Sequence, residues 1–219
     1  VANADYAHVE LDLLDAEHRS YPERWWKRAT VAPSMLVGFL GSRRRIEGLE
    51  HHNLYFASNW DRHFDAIFRK PAWPSDPCFY ASATTRTEPS MAPPGGENLY
   101  LLVPIATELD DSDEAREALF DKATGKLESL VGSAIRDDLA VKRIYSQRDF
   151  KRDFNARDGS ALGLSHTLFQ TAIFRPSRRS KKVKGLYYAG QYTHPGIGVP
   201  MALIAAELVV KAIADDEAG

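Results

Sequence analysis

The chain has 219 residues, 44% of them apolar and 26% charged, and a net charge of −2. That length allows one large domain or two small ones with a real core, and the near-neutral balance gives no electrostatic reason to expect nucleic acid as a partner. A single cysteine, Cys78, excludes a disulfide framework and a cysteine-based zinc cluster and suits a reducing, cytoplasmic setting, while no apolar run of about 18 residues predicts a membrane span.

In chain order, "VANADYAHVELDLL" reads as the last residues of a strand entering a helix. Asn3 is the expected N-cap, and Tyr6, Val9, Leu13 and Leu14 follow helical spacing. A two-residue strand does not stand alone, so more chain is expected before Val1. "YPERWWKR" (21–28) predicts a short helix, "PSMLVGFLG" (33–41) a buried strand and "NLYFAS" (53–58) a second one. Trp60, Phe64, Ile67 and Phe68 mark an amphipathic helix. Its aromatic stripe is assigned to core packing in preference to a membrane surface. Strands follow in "CFYASA" (78–83) and "LYLLVPI" (99–105), separated by the glycine-ended loop "TTRTEPSMAPPGGEN". From Asp111 to Arg136 a helix is expected, with Asp111 and Glu114 as a capping box. Ala115, Leu119, Ala123, Leu127, Leu130 and Ala134 form its apolar face. "LAVKRIYSQ" (139–147) is a further strand.

The ends differ from the middle. At the C-terminus, "GLYYAGQYTHPGIGVPMALIAAELVVKAI" runs from a short strand, Leu186–Ala189, through a glycine-rich loop into a helix. Gly190 ends the strand, Gly196 and Gly198 permit close backbone approach, and Pro200 suits a first helical turn. That helix is apolar almost all round, which predicts burial. Its N-terminus is a ready site for an electron-rich group, against the alternative of a purely structural turn. Strand–helix units at both ends suggest one interrupted α/β domain, 1–24 with 151–219, around an α+β insertion at 25–150. His51 and His52 lack a third ligand at useful spacing, so no metal is expected. No Ser-His-Asp arrangement can be argued.

"LYYAGQYTHPGIGVPMAL" closely resembles the C-terminal signature of the phytoene desaturase family, the bacterial-type carotenoid desaturases of the FAD-dependent amine-oxidase-like superfamily. "ANADYAH", "PSMLVGFLG", "EHHNLYFASNWDRHFDAIF", "TTRTEPSMAPPGGENLYLLVP" and "SALGLSHTLFQTAIFRPSRRS" resemble further family blocks, in the family's order. The resemblance implies the C-terminal part of a two-domain flavoprotein. Its Rossmann-like FAD domain, incomplete here, would be interleaved with a mixed-sheet substrate domain.

The implied cofactor is FAD, held by Gly190, Gln191, Thr193, His194, Pro195, Gly196, Gly198, Val199, Pro200 and Met201. Gly190 and Gln191 would lie near the pyrophosphate and ribityl chain. Gly196 to Met201 would pass beside the isoalloxazine, with helix-start N–H groups facing an edge that becomes negative on reduction. Related flavoproteins often carry an acidic or small residue where Gln191 stands. The implied reaction turns C–C into C=C bonds in a linear carotenoid precursor, by hydride transfer to flavin and proton loss. A hydrocarbon offers no polar handle, so an apolar tunnel in the middle domain is implied. A peripheral encounter with a membrane surface follows from the substrate's solubility.

His194 and His166 are the weak candidates for a chemical role, against backbone support or packing. The cations of "RPSRRSKKVK" form either a solvated loop or a contact with anionic headgroups. No G-x-G-x-x-G occurs in the chain, which implies a segment of a longer protein or one product of a split gene, unable to hold FAD well alone. The alternatives are a desaturase, isomerase or saturase of another carotenoid, and a non-catalytic carotenoid-binding remnant.

Overall fold

The computed structural model describes residues 1–218. Its elements are α1 (Tyr6–His8, continued as a π-helical stretch Val9–Leu13), α2 (Glu23–Arg28), β1 (Ser34–Ser42), β2 (His52–Tyr55), α3 (Trp60–Phe68), β3 (Phe79–Ala83), β4 (Glu97–Ile105), α4 (Asp113–Val131), β5 (Leu139–Tyr145), α5 (Gln147–Phe154) and α6 (Val199–Ala218), with short 3-10 turns between them. The chain forms two compact units. One is Pro33–Asp149; the other is Val1–Ala32 with the chain from Phe150 onward.

The Pro33–Asp149 unit is built on a five-stranded sheet of order β2-β3-β4-β1-β5, antiparallel at every neighbouring pair. The mixed sheet expected from the sequence is thereby corrected. β4 and β5, joined through α4, do run the same way, but β1 lies between them and opposes both. Register fixes the faces, because side chains alternate along a strand. Pairs Leu36↔Val103, Gly38↔Leu101 and Leu40↔Leu99 share the core face. There Leu36, Leu99, Leu101, Val103 and Ile105 pack against Leu119, Phe120, Ala123 and Leu127 of α4, all buried. Each of these Leu, Val, Ile and Phe side chains contributes roughly 1.5–3 kcal/mol.

α4 starts at Ser112, whose Oγ accepts the Ala115 N–H at 3.2 Å, and ends at Gly132 in the left-handed region, φ 67°. The expected capping box does not form. Asp111 is instead drawn to Arg116, which donates to both its carboxylate oxygens, at 2.7 and 2.6 Å, and to Asp149 at 2.8 Å. Leu130, expected on the apolar face, is exposed.

The sheet's other face carries Val37, Phe39, Leu54, Tyr80, Tyr100 and Leu102, placed together by register. Phe39 and Tyr100 meet edge to face at 5.7 Å, and Tyr80 and Tyr100 at 6.3 Å. Phe39 and Leu54 are exposed.

α3 corrects a second expectation. Trp60, Phe64 and Phe68 stand exposed as a ring ladder with centroids 6.4 and 4.5 Å apart, and His63 is the buried residue. The reason is polar. Nε2 of His63 donates to the Pro104 carbonyl at 2.7 Å and Nδ1 accepts the Cys78 N–H at 2.8 Å, a pair of bonds that fixes the neutral tautomer. This anchor turns the His63 side inward and the aromatic stripe outward.

In the second unit an aromatic cluster takes the place of a sheet. Tyr6 stacks on Tyr188 at 3.7 Å, with Trp26, Tyr192 and Leu164 buried around them. Trp26 is 0% exposed, so α2 belongs here and not with the middle region, where the expected division at 24/25 put it. Asp5, not Asn3, caps α1, accepting the His8 N–H at 3.1 Å, and Leu13 is exposed. The strand expected at 186–189 is reduced to single bridges, Ala2↔Tyr188 parallel and Arg179↔Tyr187 antiparallel.

α6 departs most from its sequence. Only Ala205, Val209 and Ala212 are buried, the latter two packed with Tyr187, while Val199, Leu203, Ile204 and Val210 are exposed. The unit offers this helix one line of contact at i, i+4, i+7 spacing, and nothing among the described residues of that unit covers the rest. No described helix is long and apolar enough to cross a membrane.

Candidate functional site

A cavity of about 500 Å³ opens in the second unit beside the start of α6. Asn3 and Asp5 line it, with Phe150, Phe154 and Leu162, the turn Gly190–Tyr192, and Ile197, Gly198, Val199 and Ala202. The N-terminal segment is held there by backbone bonds. Ala2 N–H donates to Tyr187 O at 2.7 Å, and Ala189 N–H to Ala2 O at 3.0 Å.

Two buried acids set the geometry below. Glu10, 0% exposed, accepts from the Tyr188 hydroxyl at 2.6 Å and from Tyr21 N–H at 2.8 Å. Asp5 accepts from the Tyr192 hydroxyl at 2.5 Å and the Arg157 N–H at 3.1 Å. Burial first, then the neighbouring carboxylate, pushes both phenols up from their ordinary pKa. They stay protonated and donate, and the bond from Tyr192 to Asp5 ties together two residues that line the cavity.

The glycine loop has the backbone its sequence implied. Gly190, Gly196 and Gly198 have φ of 108°, 123° and 121°. At Gly196 the reason is contact: an added Cβ would stand 2.7 Å from the His166 ring and 3.4 Å from Cζ of Arg175. The first backbone bond of α6 runs from Ala202 N–H to Gly198 O at 2.8 Å. The N–H groups of Val199 and Met201 therefore have no intrahelical partner, and Pro200 has none to offer. An open helix start beside a mostly apolar cavity suits a planar ring with an electron-rich edge. On this test the residues present fit a flavin.

Of the candidate residues, Gly190, Gln191, Gly198 and Val199 line the cavity together. Thr193, 1% exposed, closes the turn by donating to Gly190 O at 3.0 Å. Pro195, Gly196, Pro200 and Met201 belong to the loop and helix start but do not line the cavity. His166 backs the loop, its Nε2 accepting the Ile197 N–H at 3.4 Å. Lost hydration and then the Arg175 charge hold its imidazole below the usual pKa, so it is a neutral acceptor. His194 lies on a different depression, with Tyr21, Arg175 and Lys181, and its buried Nδ1 has no partner among the described residues.

Sequence reading missed Asn3, Asp5, Phe150 and Phe154 as lining residues, which only the fold brings to residues 190–202. It also read Arg175 as the first cation of a stretch either solvated or set against anionic headgroups, whereas Arg175 is buried. Its one local signal was position: a cation between apolar "AIF" and a proline.

The second unit thus holds a glycine-lined cavity at an open helix start, and the fold of the chain has a counterpart among solved structures. It is similar to a solved oxidoreductase from Methanosarcina mazei, with a TM-score of 0.58 at 13% identity, over 95% of this chain and 42% of that one. The family model described as flavin containing amine oxidoreductase matches residues 60–214. The chain belongs to that family, and membership implies FAD as the cofactor. It is 44% identical to the carotenoid 3,4-desaturase of Haloarcula japonica over 99% of this chain and 44% of the relative. It is 36% identical to the zeta-carotene-forming phytoene desaturase of Myxococcus xanthus over 96% of this chain and 41% of the relative. The kinship read from the sequence blocks is borne out. The chain spans less than half the length of these curated relatives.

Proposed function

We propose that the chain forms the flavin-facing and substrate-contacting part of an FAD-dependent desaturase acting on a linear carotenoid. The observation that carries this reading is the cavity framed by Gly190, Gln191, Gly198 and Val199 at an open helix start, in a member of a flavin oxidoreductase family. FAD, when bound, supplies the acceptor for the hydride that leaves the substrate carbon. The chain's own part is to offer the Val199 N–H group at the helix start to an electron-rich edge, and to exclude water with Phe150, Phe154, Leu162 and Val199. No side chain at the cavity is assigned as a base.

In this reading Val1–Ala32 with the chain from Phe150 onward belong to the FAD-binding domain and Pro33–Asp149 to the substrate domain. The apolar sheet face of Val37, Phe39, Leu54, Tyr80, Tyr100 and Leu102 supports it, since a hydrocarbon can be held only by burial. The absence of G-x-G-x-x-G from the sequence supports an ADP-binding half supplied by further chain, and weak FAD binding by this chain alone. That further chain would also cover the exposed side of α6. In this reading a substrate dissolved in lipid brings the protein to the membrane surface, and the single cysteine suits a cytoplasmic setting.

One observation favours a second choice of substrate. Identity is higher to a carotenoid 3,4-desaturase than to a phytoene desaturase, 44% against 36%, so a more conjugated carotenoid is the competing substrate. The full-length protein, expressed in cells accumulating either phytoene or lycopene, separates the two by which polyene spectrum shifts to longer wavelength. Unchanged pigments in both hosts, with FAD bound, would remove the desaturase reading.

A further inference from the structure

Arg175 is the one buried cation of its unit among the described residues, 5% exposed, and no described carboxylate pairs with it. A buried guanidinium without a counter-ion is costly unless its donors find oxygens. Arg175 finds four backbone carbonyls. Nη1 donates to Gln170 O at 2.9 Å, Nη2 to Leu164 O at 3.4 Å and to Gln191 O, and Nε to Tyr192 O at 3.2 Å. Gln191 and Tyr192 are cavity-lining residues, and Leu164 and Gln170 bracket the segment that presents His166 to the loop.

We propose that Arg175 is the positioning residue of the flavin-facing loop: its guanidinium ties the Gln191–Tyr192 turn to the Leu164–Gln170 segment and keeps an uncompensated positive charge behind the loop, favouring an electron-rich ring in the cavity. The inference rests on the flavin reading above. Carbonyl dipoles solvate the charge without cancelling it, as a carboxylate would. The planar fork reaches carbonyls on two segments at once, which the compact ammonium of lysine matches poorly. The guanidinium also lies against Gly196, so fork and charge act at the same stretch of backbone.

The test compares Arg175→Lys and Arg175→Gln in the full-length protein by three readouts. In the flavin-free protein, both variants speed amide hydrogen exchange across 190–198 by about tenfold or more, with β1 and β4 unchanged. FAD affinity falls by about tenfold or more in both. The reduction potential of bound FAD drops in Arg175→Gln and is largely restored in Arg175→Lys, which keeps the charge. Unchanged exchange overturns the tether; loosened exchange with an unchanged potential in Arg175→Gln reduces Arg175 to a structural residue and overturns the charge. If Arg175→Gln does not fold, wild-type exchange and FAD affinity in Arg175→Lys overturn the proposal. If the wild-type protein binds no FAD, the proposed function fails, and exchange in the flavin-free variants still decides the tether.

Discussion

Replacing Gly196 by alanine should cost about 2–6 kcal/mol of stability, from two separable sources. A φ of 123° is open to glycine alone, and holding alanine there costs about 1–3 kcal/mol. The new methyl carbon would also stand 2.7 Å from Cε1 and Nε2 of His166, and moving that ring costs about 1–3 kcal/mol as overpacking. The second part should return when the ring is removed. A double-mutant cycle of Gly196→Ala and His166→Ala, followed by urea unfolding, should therefore show a favourable coupling of about 1–3 kcal/mol. Gly132 is the control: it has φ 67°, and nothing lies within 4 Å of an added Cβ, so Gly132→Ala should cost only about 1–2 kcal/mol. Additive effects of the two substitutions at Gly196 and His166 would refute the packing of His166 on the loop. A cost at Gly196 no larger than that at Gly132 would refute the crowding itself.

Three further outcomes follow from the Pro33–Asp149 unit. Burial holds the His63 imidazole below its ordinary pKa against the opposing pull of the Pro104 carbonyl and Asp76. The unfolded chain then takes up the proton first as pH falls, so stability is full above about pH 6.5 and declines below it, by at most about 1.4 kcal/mol per pH unit; His63→Phe should flatten the pH dependence of urea midpoints in that range. Arg116 lies between Asp111 and Asp149 at 2.6–2.8 Å, and Arg116→Met should cost about 3–5 kcal/mol by stranding two acids; a loss under 1 kcal/mol in denaturant titration would contradict the buried triad. Although burial raises the Glu128 pKa, bonds from the Arg136 side chain and the Arg136 and Ile135 N–H groups outweigh it and bring it to about 2. The stability Glu128 adds is present above about pH 4.5 and lost as pH falls through about 2, a loss that acid titration should show shrinking in Arg136→Ala.

Much of the strand and helix content was legible because it depends on local pattern. Alternation in "LYLLVPI" and the helical spacing of Leu119, Ala123 and Leu127 are periodic signals that any fold must bury, and β4 and α4 answer to them. The caps were less legible: Asp111, Ser112 and Asp113 are all acceptable helix starters, and the pairing of Asp111 with Arg116, itself bonded to the distant Asp149, decided for Ser112. The aromatic stripe of α3 was misread for a similar reason. Periodicity reports which residues share a face, not which face turns inward, and His63 settled that with two bonds to backbone far along the chain.

By itself the sequence determined the glycine loop, the open start of α6 and the family to which these belong, because backbone freedom at Gly190, Gly196 and Gly198 is a property of residue type. Tertiary structure alone decided the surroundings: that Asn3, Asp5, Phe150 and Phe154 meet that loop at one cavity, that His166 and Arg175 lie behind it while His194 faces elsewhere, and that most of the apolar surface of α6 stays uncovered within its unit. These are contacts between segments up to about two hundred residues apart, set by hydrogen bonds such as Tyr192 to Asp5 and Tyr188 to Glu10, whose partners no local pattern can name.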